Sequence, residues 1–160
     1  MSDMFNGCES IDSPVNHWDT SRVTDMSRMF ADAMVFNQPL GRWNTAKIEN
    51  MSNLFEGARN FNQSINDWDT SRWLTWQTPL RWLWPFNYPI DNWNTSMVTN
   101  MYGMFESARH ICNQPMDRWD MSKVGNNRVD MLRTPVLSSS HPQAPHSINR
   151  KVIPLVLSCR

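Results

Sequence analysis

The side chains best suited to chemistry are the Asp and Asn residues that follow a recurring tryptophan. They are Asp19, Asn44, Asp69, Asn94 and Asp120. Side-chain oxygens repeated along a chain can bind calcium, as they do in some repeat proteins. Only alternate members of this set carry a carboxylate, and the calcium-binding unit Gly-Gly-x-Gly-x-Asp does not occur. We therefore expect no metal site and no cofactor.

Other reactive residues do not form a recognisable catalytic or metal-binding pattern. The spacing of His17, His110, His141 and His146 does not fit a set of metal ligands, and three cysteines at unrelated spacings do not indicate a zinc site or a disulfide framework. The sequence contains neither a Gly-rich phosphate loop nor a Gly-x-Ser-x-Gly elbow. We therefore predict that the chain is not an enzyme.

The charge balance and the hydropathy of the chain narrow its possible partners. Lys plus Arg equals Asp plus Glu at 15 each, so no overall field attracts nucleic acid or an anionic membrane. The longest apolar run near the C-terminus, residues 152–157, is too short to span a bilayer. The first residues lack the basic segment and apolar run of a secretory signal. We expect no nucleic-acid partner and no transmembrane segment, and these features assign no compartment.

The tryptophans define a repeat that organises most of the chain. Trp18, Trp43, Trp68, Trp93 and Trp119 are separated by steps of 25, 25, 25 and 26 residues. A fixed period of this length is typical of repeat proteins in which each unit buries its apolar face against its neighbours. We assign about five coils to residues 1–124, with residues 73–85 degenerate. Residues 125–160 form a non-repeat tail that we expect to be poorly ordered, since they are rich in Pro, Ser and Asn.

The repeat register also bears on the first residues of the chain. Residues 1–5 align with residues 26–30, so Met1 falls on an internal repeat position. We therefore expect the chain to open partway through a coil without an N-terminal cap, as a fragment of a longer protein would.

Within one repeat, the residue pattern predicts a short helix and a short strand. Val23, Met26, Phe30 and Ala33 have the spacing of a helical stripe. Equivalent stripes predict helices near 24–33, 49–58 and 99–108. A short strand is predicted at 39–45, paired in parallel with equivalents at about 14–20, 64–70, 89–95 and 115–121. The predicted fold is an α/β, leucine-rich-repeat-like solenoid with one short parallel strand and one short helix per 25-residue repeat.

Two sets of repeated residues are interpreted as structural. The five tryptophans are expected to fill the core, with Trp43 stacked on Trp18 and Trp68. The alternative is an exposed tryptophan platform for carbohydrate. A ladder of amides, Asn37, Asn62, Asn87 and Asn113, is expected to satisfy backbone groups in successive coils.

The stretches "FNQPLGRWNTAKIENMSNLFEGA" and "FNQSINDWDTS" resemble the repeat of BspA-like leucine-rich-repeat surface proteins. The resemblance covers residues 1–124 except 73–85. It implies a leucine-rich-repeat-like solenoid in a cell-surface or secreted protein that functions in adhesion and protein binding. It also implies that there is no common catalytic site.

The residues that directly precede each tryptophan are the candidates for binding. They vary in charge from coil to coil, as a recognition surface can: His17, Arg42, Asp67, Asn92 and Arg118. We expect a protein or glycan ligand, with adjacent repeats of a longer chain as the other partners. The alternative is a structural or decayed repeat fragment that has no specific partner.

The degenerate coil carries a prediction of its own. Trp73, Trp76, Trp82 and Trp84 stand where smaller residues are expected, and overpacking costs about 1–3 kcal/mol per site. We therefore expect these tryptophans to be partly exposed, with residues 1–70 and 87–124 as two weakly coupled blocks.

Overall fold

The computed structural model describes residues 1–77, 79–83, 85–106 and 116–125, and these ranges contain neither a helix nor a strand. The regular pairing between coils consists of three isolated parallel bridges, which join Asp25 to Asn50, Asn50 to Thr75, and Thr75 to Asn100. The predicted α/β solenoid, with a strand and a helix in each repeat, is therefore wrong. The chain is instead a stack of coils built from turns. Since it contains no helix, the described part of the chain has none that could cross a membrane.

The backbone of residues 26–33 explains why the predicted helix does not form. The N–H groups of alternate residues donate to carbonyl oxygens of the next coil, at 2.6–3.0 Å: Met26 to Asn50, Arg28 to Ser52, Phe30 to Leu54, and Asp32 to Glu56. The N–H groups of Met29 and Ala31 close turns by donating to a carbonyl three residues back, at 3.2 and 3.1 Å, and that of Ser27 donates to the Oδ1 of Asp25. An α-helix needs each N–H to donate four residues back within the same segment. Hydrogen bonds between coils replace that pattern.

Backbone angles show the same departure from a helix. Arg28 and Asp32 both have φ of 55°, and the equivalent residues of the next coil, Asn53 and Gly57, have φ of 60° and 73°. Residues in this left-handed region reverse the chain at each turn. Overlapping turns still bring every third or fourth residue to the core, which is the spacing that suggested helices at 24–33, 49–58 and the described part of 99–108.

The predicted strands at 14–20, 39–45, 64–70, 89–95 and the described part of 115–121 are also replaced by turns. The N–H of Trp43 donates to the carbonyl of Leu40 at 3.1 Å, and that of Ile48 donates to the carbonyl of Thr45 at 3.0 Å. Both bonds are of the turn type that spans four residues. The polar residues beside each tryptophan favour such turns over an extended chain.

Aromatic columns form the core of the stack. Phe30 lies on Phe55 with ring centroids 5.7 Å apart and planes 7° apart. Trp43 lies on Trp68 at 6.3 Å and 5°. The first tryptophan differs, because Trp18 is only half-buried and its ring packs on Phe5 at 5.7 Å. Phe30 is covered on both sides, by Phe5 at 5.5 Å and by Phe55, whereas Trp43 has a ring partner in the next coil but none at Trp18.

The degenerate coil buries two of its surplus tryptophans. Trp73 and Trp76 are only 2% and 0% exposed, so the expectation that they are partly exposed is wrong. Trp82 is 37% exposed, with the guanidinium of Arg81 4.8 Å from its ring centroid. Trp84 lies outside the described residues.

A compensating exchange makes room for Trp76. In regular coils a phenylalanine packs against the following tryptophan, as Phe55 does on Trp68 at 6.3 Å. Leu80 occupies the equivalent position in the degenerate coil, and the ring of Trp76 instead comes within 5.2 Å of Trp93, at 87°. The larger residue at 76 thus fills space that the smaller residue at 80 leaves. The exchange is incomplete, because the indole N–H groups of Trp73 and Trp76 are buried without a hydrogen-bond partner.

An ion-pair rung connects the coils on both sides of the degenerate one. Arg81 contacts the carboxylate of Glu56 at 3.0 Å and that of Glu106 at 3.1 Å, and all three side chains are partly buried. The backbone N–H of Trp76 also donates to the carbonyl of Asn100 at 3.0 Å. These contacts join the two predicted blocks, 1–70 and 87–124, through the degenerate coil. Residues 126–160, almost all of the predicted tail, lie outside the described ranges.

Candidate functional site

The tryptophan column fixes the surface on which the binding candidates lie. The indole N–H of each internal tryptophan donates to a carbonyl of the preceding coil, at 2.9–3.2 Å: Trp43 to Val15, Trp68 to Leu40, Trp93 to Ile65, and Trp119 to Ile90. Buried indoles are thus paired as well as packed. The residues that flank each tryptophan are consequently held on a rigid support.

The Asp and Asn residues after each tryptophan form turns. Their side-chain oxygen accepts the N–H of the residue two positions on, as Asp19 accepts from Ser21 and Asn44 accepts from Ala46, at 3.0 and 3.1 Å. Asp69, Asn94 and Asp120 make the same bond. These are Asx turns, which need one oxygen and no metal. In the described ranges, His, Cys, Asp and Glu side chains form no group of three able to hold a metal ion.

These turns also change the acidity of the three carboxylates. Hydrogen bonds from the hydroxyl of Ser21, and then from its backbone N–H, lower the pKa of Asp19. The pKa values of Asp69 and Asp120 are lowered in the same way by Ser71 and Ser122. Hydrogen bonds to a carboxylate favour its charged form.

The lowered pKa values predict a loss of stability in acid. A carboxyl group with a depressed pKa in the folded state adds stability above its ordinary pKa of about 4, and this stability is lost as the pH falls through the folded value. Asn44 and Asn94 make the same turn without a charge, so the triple variant Asp19→Asn, Asp69→Asn, Asp120→Asn should fold. Thermal melts at about pH 7 and about pH 3 should show a smaller fall in Tm for this variant than for the wild type.

The internal comparison for this prediction is a fourth acidic residue, Asp25, which lies at a different repeat position. Burial acts to raise the pKa of Asp25, but hydrogen bonds from Ser27 and Asn50 lower it overall, so Asp25 supplies acid sensitivity that remains in the triple variant. Equal falls in Tm for the wild type and the triple variant would show that the carboxylates of the three turns do not contribute to the loss of stability in acid.

A ladder of threonines is a structural feature that the sequence analysis missed. Thr20, Thr45, Thr70 and Thr95 are buried, at 1–2% exposure. The hydroxyl of Thr20 donates to the carbonyl of Asn44 at 3.0 Å, and Thr70 and Thr95 make equivalent bonds to the next coil. The hydroxyl of Thr45 has no partner. The sequence could have indicated this ladder, because Thr recurs at the same repeat position in four successive coils.

The asparagine ladder also pairs with backbone groups of neighbouring coils. The side-chain oxygen of Asn37 accepts the N–H of Asn62 at 2.9 Å, and that of Asn62 accepts the N–H of Asn87 at 3.3 Å. In the first coil, Asp12 takes the same role for Asn37 at 2.9 Å. Asn113 lies outside the described residues.

The five predicted binding residues occupy one repeat position, and all are exposed: His17, Arg42, Asp67, Asn92 and Arg118. The residue before them is structural in two coils. The side-chain oxygen of Asn16 accepts the N–H of Arg42 at 3.0 Å, and that of Asn66 accepts the N–H of Asn92 at 3.2 Å. We call His17, Arg42, Asp67, Asn92 and Arg118 the pre-tryptophan column. The preceding coil holds the backbone of the column at Arg42 and Asn92, and all five side chains are exposed to a ligand.

Stacked turn-built coils, with a shared aromatic core and a variable exposed column, define a repeat protein. The family model described as "Mycoplasma protein of unknown function, DUF285" matches residues 1–81 and 83–137, and the chain belongs to this family. Comparisons with curated proteins and with solved structures find no match.

Proposed function

We propose that the protein is a non-enzymatic binding module of a cell-surface protein that engages a protein or glycan through the pre-tryptophan column. The observation that carries the proposal is the combination of exposure and variation at one repeat position. His17, Arg42 and Asp67 differ in charge, although each precedes a tryptophan in an equivalent setting. The resemblance to BspA-like surface repeats supports an adhesive role.

Preorganisation of the column favours binding. The indole bonds and the Asn16 and Asn66 bonds hold the backbone of the column before any ligand arrives. Binding then orders only the exposed side chains, and a small ordering cost leaves more of the contact energy as affinity.

The second candidate is a structural or decayed fragment without a specific partner. It is favoured by the degenerate coil, where the indole N–H groups of Trp73 and Trp76 are buried unpaired. Each unsatisfied group costs about 1–3 kcal/mol. Such a coil is consistent with a repeat that has lost selection for stability.

A binding screen separates the two candidates. The full chain is immobilised and exposed to a panel of purified extracellular-matrix proteins and polysaccharides, with bound mass measured by a biosensor. Alanine at His17, Arg42, Asp67, Asn92 and Arg118 should remove the binding found with the wild type. The control variant carries alanine at Thr24, Arg59 and Met97, which are exposed at other repeat positions. Equal binding by the wild type and both variants would contradict the column as the binding surface. If the wild type binds no member of the panel, the second candidate, a fragment without a specific partner, is favoured.

A further inference from the structure

A second surface, partly exposed, lies six and five residues before the tryptophans of three successive coils and consists of neutral amides and one tyrosine. We call it the amide strip, and its members are Asn37, Gln38, Asn62, Gln63, Asn87 and Tyr88. The segments that contain it, residues 36–39, 61–64 and 86–89, have no charged residue, although 19% of the chain is charged. The strip therefore differs in chemistry from the pre-tryptophan column.

Hydrogen bonds between coils fix the inner side of the amide strip. The side-chain N–H groups of Gln63 donate to the carbonyl of Asn37 at 2.9 Å and to its side-chain oxygen at 3.1 Å. The same oxygen of Asn37 accepts the backbone N–H of Asn62. The positions of these amides are consequently set by the stack rather than by a ligand.

The outer side of the strip retains unused hydrogen-bonding groups. Of the described residues, none hydrogen-bonds to the side chain of Gln38, to the Oε1 of Gln63 or to the Nδ2 of Asn62. Side-chain amides offer both donors and acceptors. The strip therefore presents donors and acceptors together, and bonds between coils hold the amides of Asn62 and Gln63 in place. Sugar hydroxyls pair with both kinds of group.

Tyr88 adds an apolar surface to the strip. It stands where the two preceding coils have Gln38 and Gln63, and it is 39% exposed. Its ring lies 6.5 Å from that of Phe86 with planes 55° apart, so the core supports one edge of the ring. A tyrosine ring offers apolar area at a low cost in conformational entropy and keeps a polar hydroxyl.

We propose that the amide strip binds a neutral polysaccharide that runs across successive coils. The C–H face of one sugar packs on Tyr88, and hydroxyl groups along the polysaccharide pair with the amides of Gln63, Asn62 and Gln38. The absence of charge from the three segments disfavours an acidic glycan, which would need cations. A protein partner is disfavoured because protein interfaces depend on a central cluster of Trp, Tyr or Arg anchors, and the strip has one aromatic ring. This assignment goes beyond the proposed function, because it gives a neutral polysaccharide a surface separate from the pre-tryptophan column.

Affinity electrophoresis of the full chain tests the assignment. Gels contain a neutral glucan, a neutral mannan or the acidic polysaccharide alginate, and the retardation of the protein gives the dissociation constant. Tyr88→Ala should weaken binding to a neutral polysaccharide about tenfold, since aromatic contact area is lost, and Tyr88→Phe should retain most of it. The matched control is Tyr102→Ala, which removes a tyrosine of similar exposure, 38%, at another repeat position.

Three outcomes would overturn the assignment. They are retardation by alginate alone, equal losses for Tyr88→Ala and Tyr102→Ala, and no retardation by any neutral polysaccharide. Failure of the strip is distinguishable from failure of the proposed function. If the pre-tryptophan variant loses a ligand that Tyr88→Ala keeps, the module binds but not through the strip.

Discussion

Trp68→Ala is expected to lower the free energy of unfolding by about 3–5 kcal/mol. Trp68 is 4% exposed, stacks on Trp43 at 6.3 Å, and contacts Phe55 at 6.3 Å. Its removal leaves a cavity between three coils. It also removes the indole N–H that donates a hydrogen bond to the carbonyl of Leu40. Urea unfolding followed by circular dichroism measures the change.

Two further variants make this prediction specific. Trp82→Ala removes an exposed tryptophan from the next coil together with its contact to Arg81, and should cost about 0.5–1 kcal/mol. Trp68→Phe keeps an aromatic ring in the column but loses the indole N–H, so its effect should lie between the other two. A cost for Trp68→Ala no greater than that for Trp82→Ala would show that the column does not carry the stability assigned to it.

The second large effect is expected in the degenerate coil, where Trp76 and Leu80 have exchanged volume relative to the regular repeat. Trp76→Met restores the residue found at Met26, Met51 and Met101, but alone it should leave a cavity beside Trp93 that costs about 2–4 kcal/mol. Loss of the unpaired indole N–H of Trp76 offsets part of this cost. Leu80→Phe alone should overpack the same space and cost about 1–3 kcal/mol. The double variant should be more stable than the sum of the two changes by at least about 1 kcal/mol, because each change relieves the other.

A distant substitution provides the control for this coupling. Ile11→Val lies in the first coil and should combine additively with Trp76→Met, within about 0.5 kcal/mol. If Trp76→Met and Leu80→Phe also combine additively, the compensating exchange described for this coil is wrong.

The repeat period predicted more of this molecule than the residue pattern within each repeat did. It identifies which residues occupy one column, and Trp43 does lie on Trp68. It does not distinguish a helix from overlapping turns, because both bring Met26, Phe30 and Ala33 to one side. The deciding quantity is the positive φ of Arg28 and Asp32, which Asp adopts more often than most residues and Arg rarely does. Glycines at positions 7 and 57, which share a column with Asp32, were the available signal.

The candidate surfaces were predictable to different degrees. The exposure of the pre-tryptophan column follows from its polar residues beside a core tryptophan, and those residues were identified from sequence. The amide strip was missed because Gln38 and Gln63 were treated only as letters of the repeat motif. Their significance depends on which amide groups remain unpaired after the coils stack, and the residue pattern does not determine that.

The two directions of hydrogen bonding between coils also govern how the gene can change in length. Backbone N–H groups such as that of Met26 donate forward, and the tryptophan indoles donate backward. A recombination event that removes or duplicates one whole repeat returns every donor to an equivalent acceptor, wherever in the repeat it begins. An insertion of one residue instead moves both the backbone donors and the indole donors away from their acceptors. The single extra residue between Trp93 and Trp119 falls after Phe105 and before Met116, and Trp119 still stacks on Trp93 at 6.4 Å and 10°. The coils on either side therefore keep their aromatic register although one residue has been added between them.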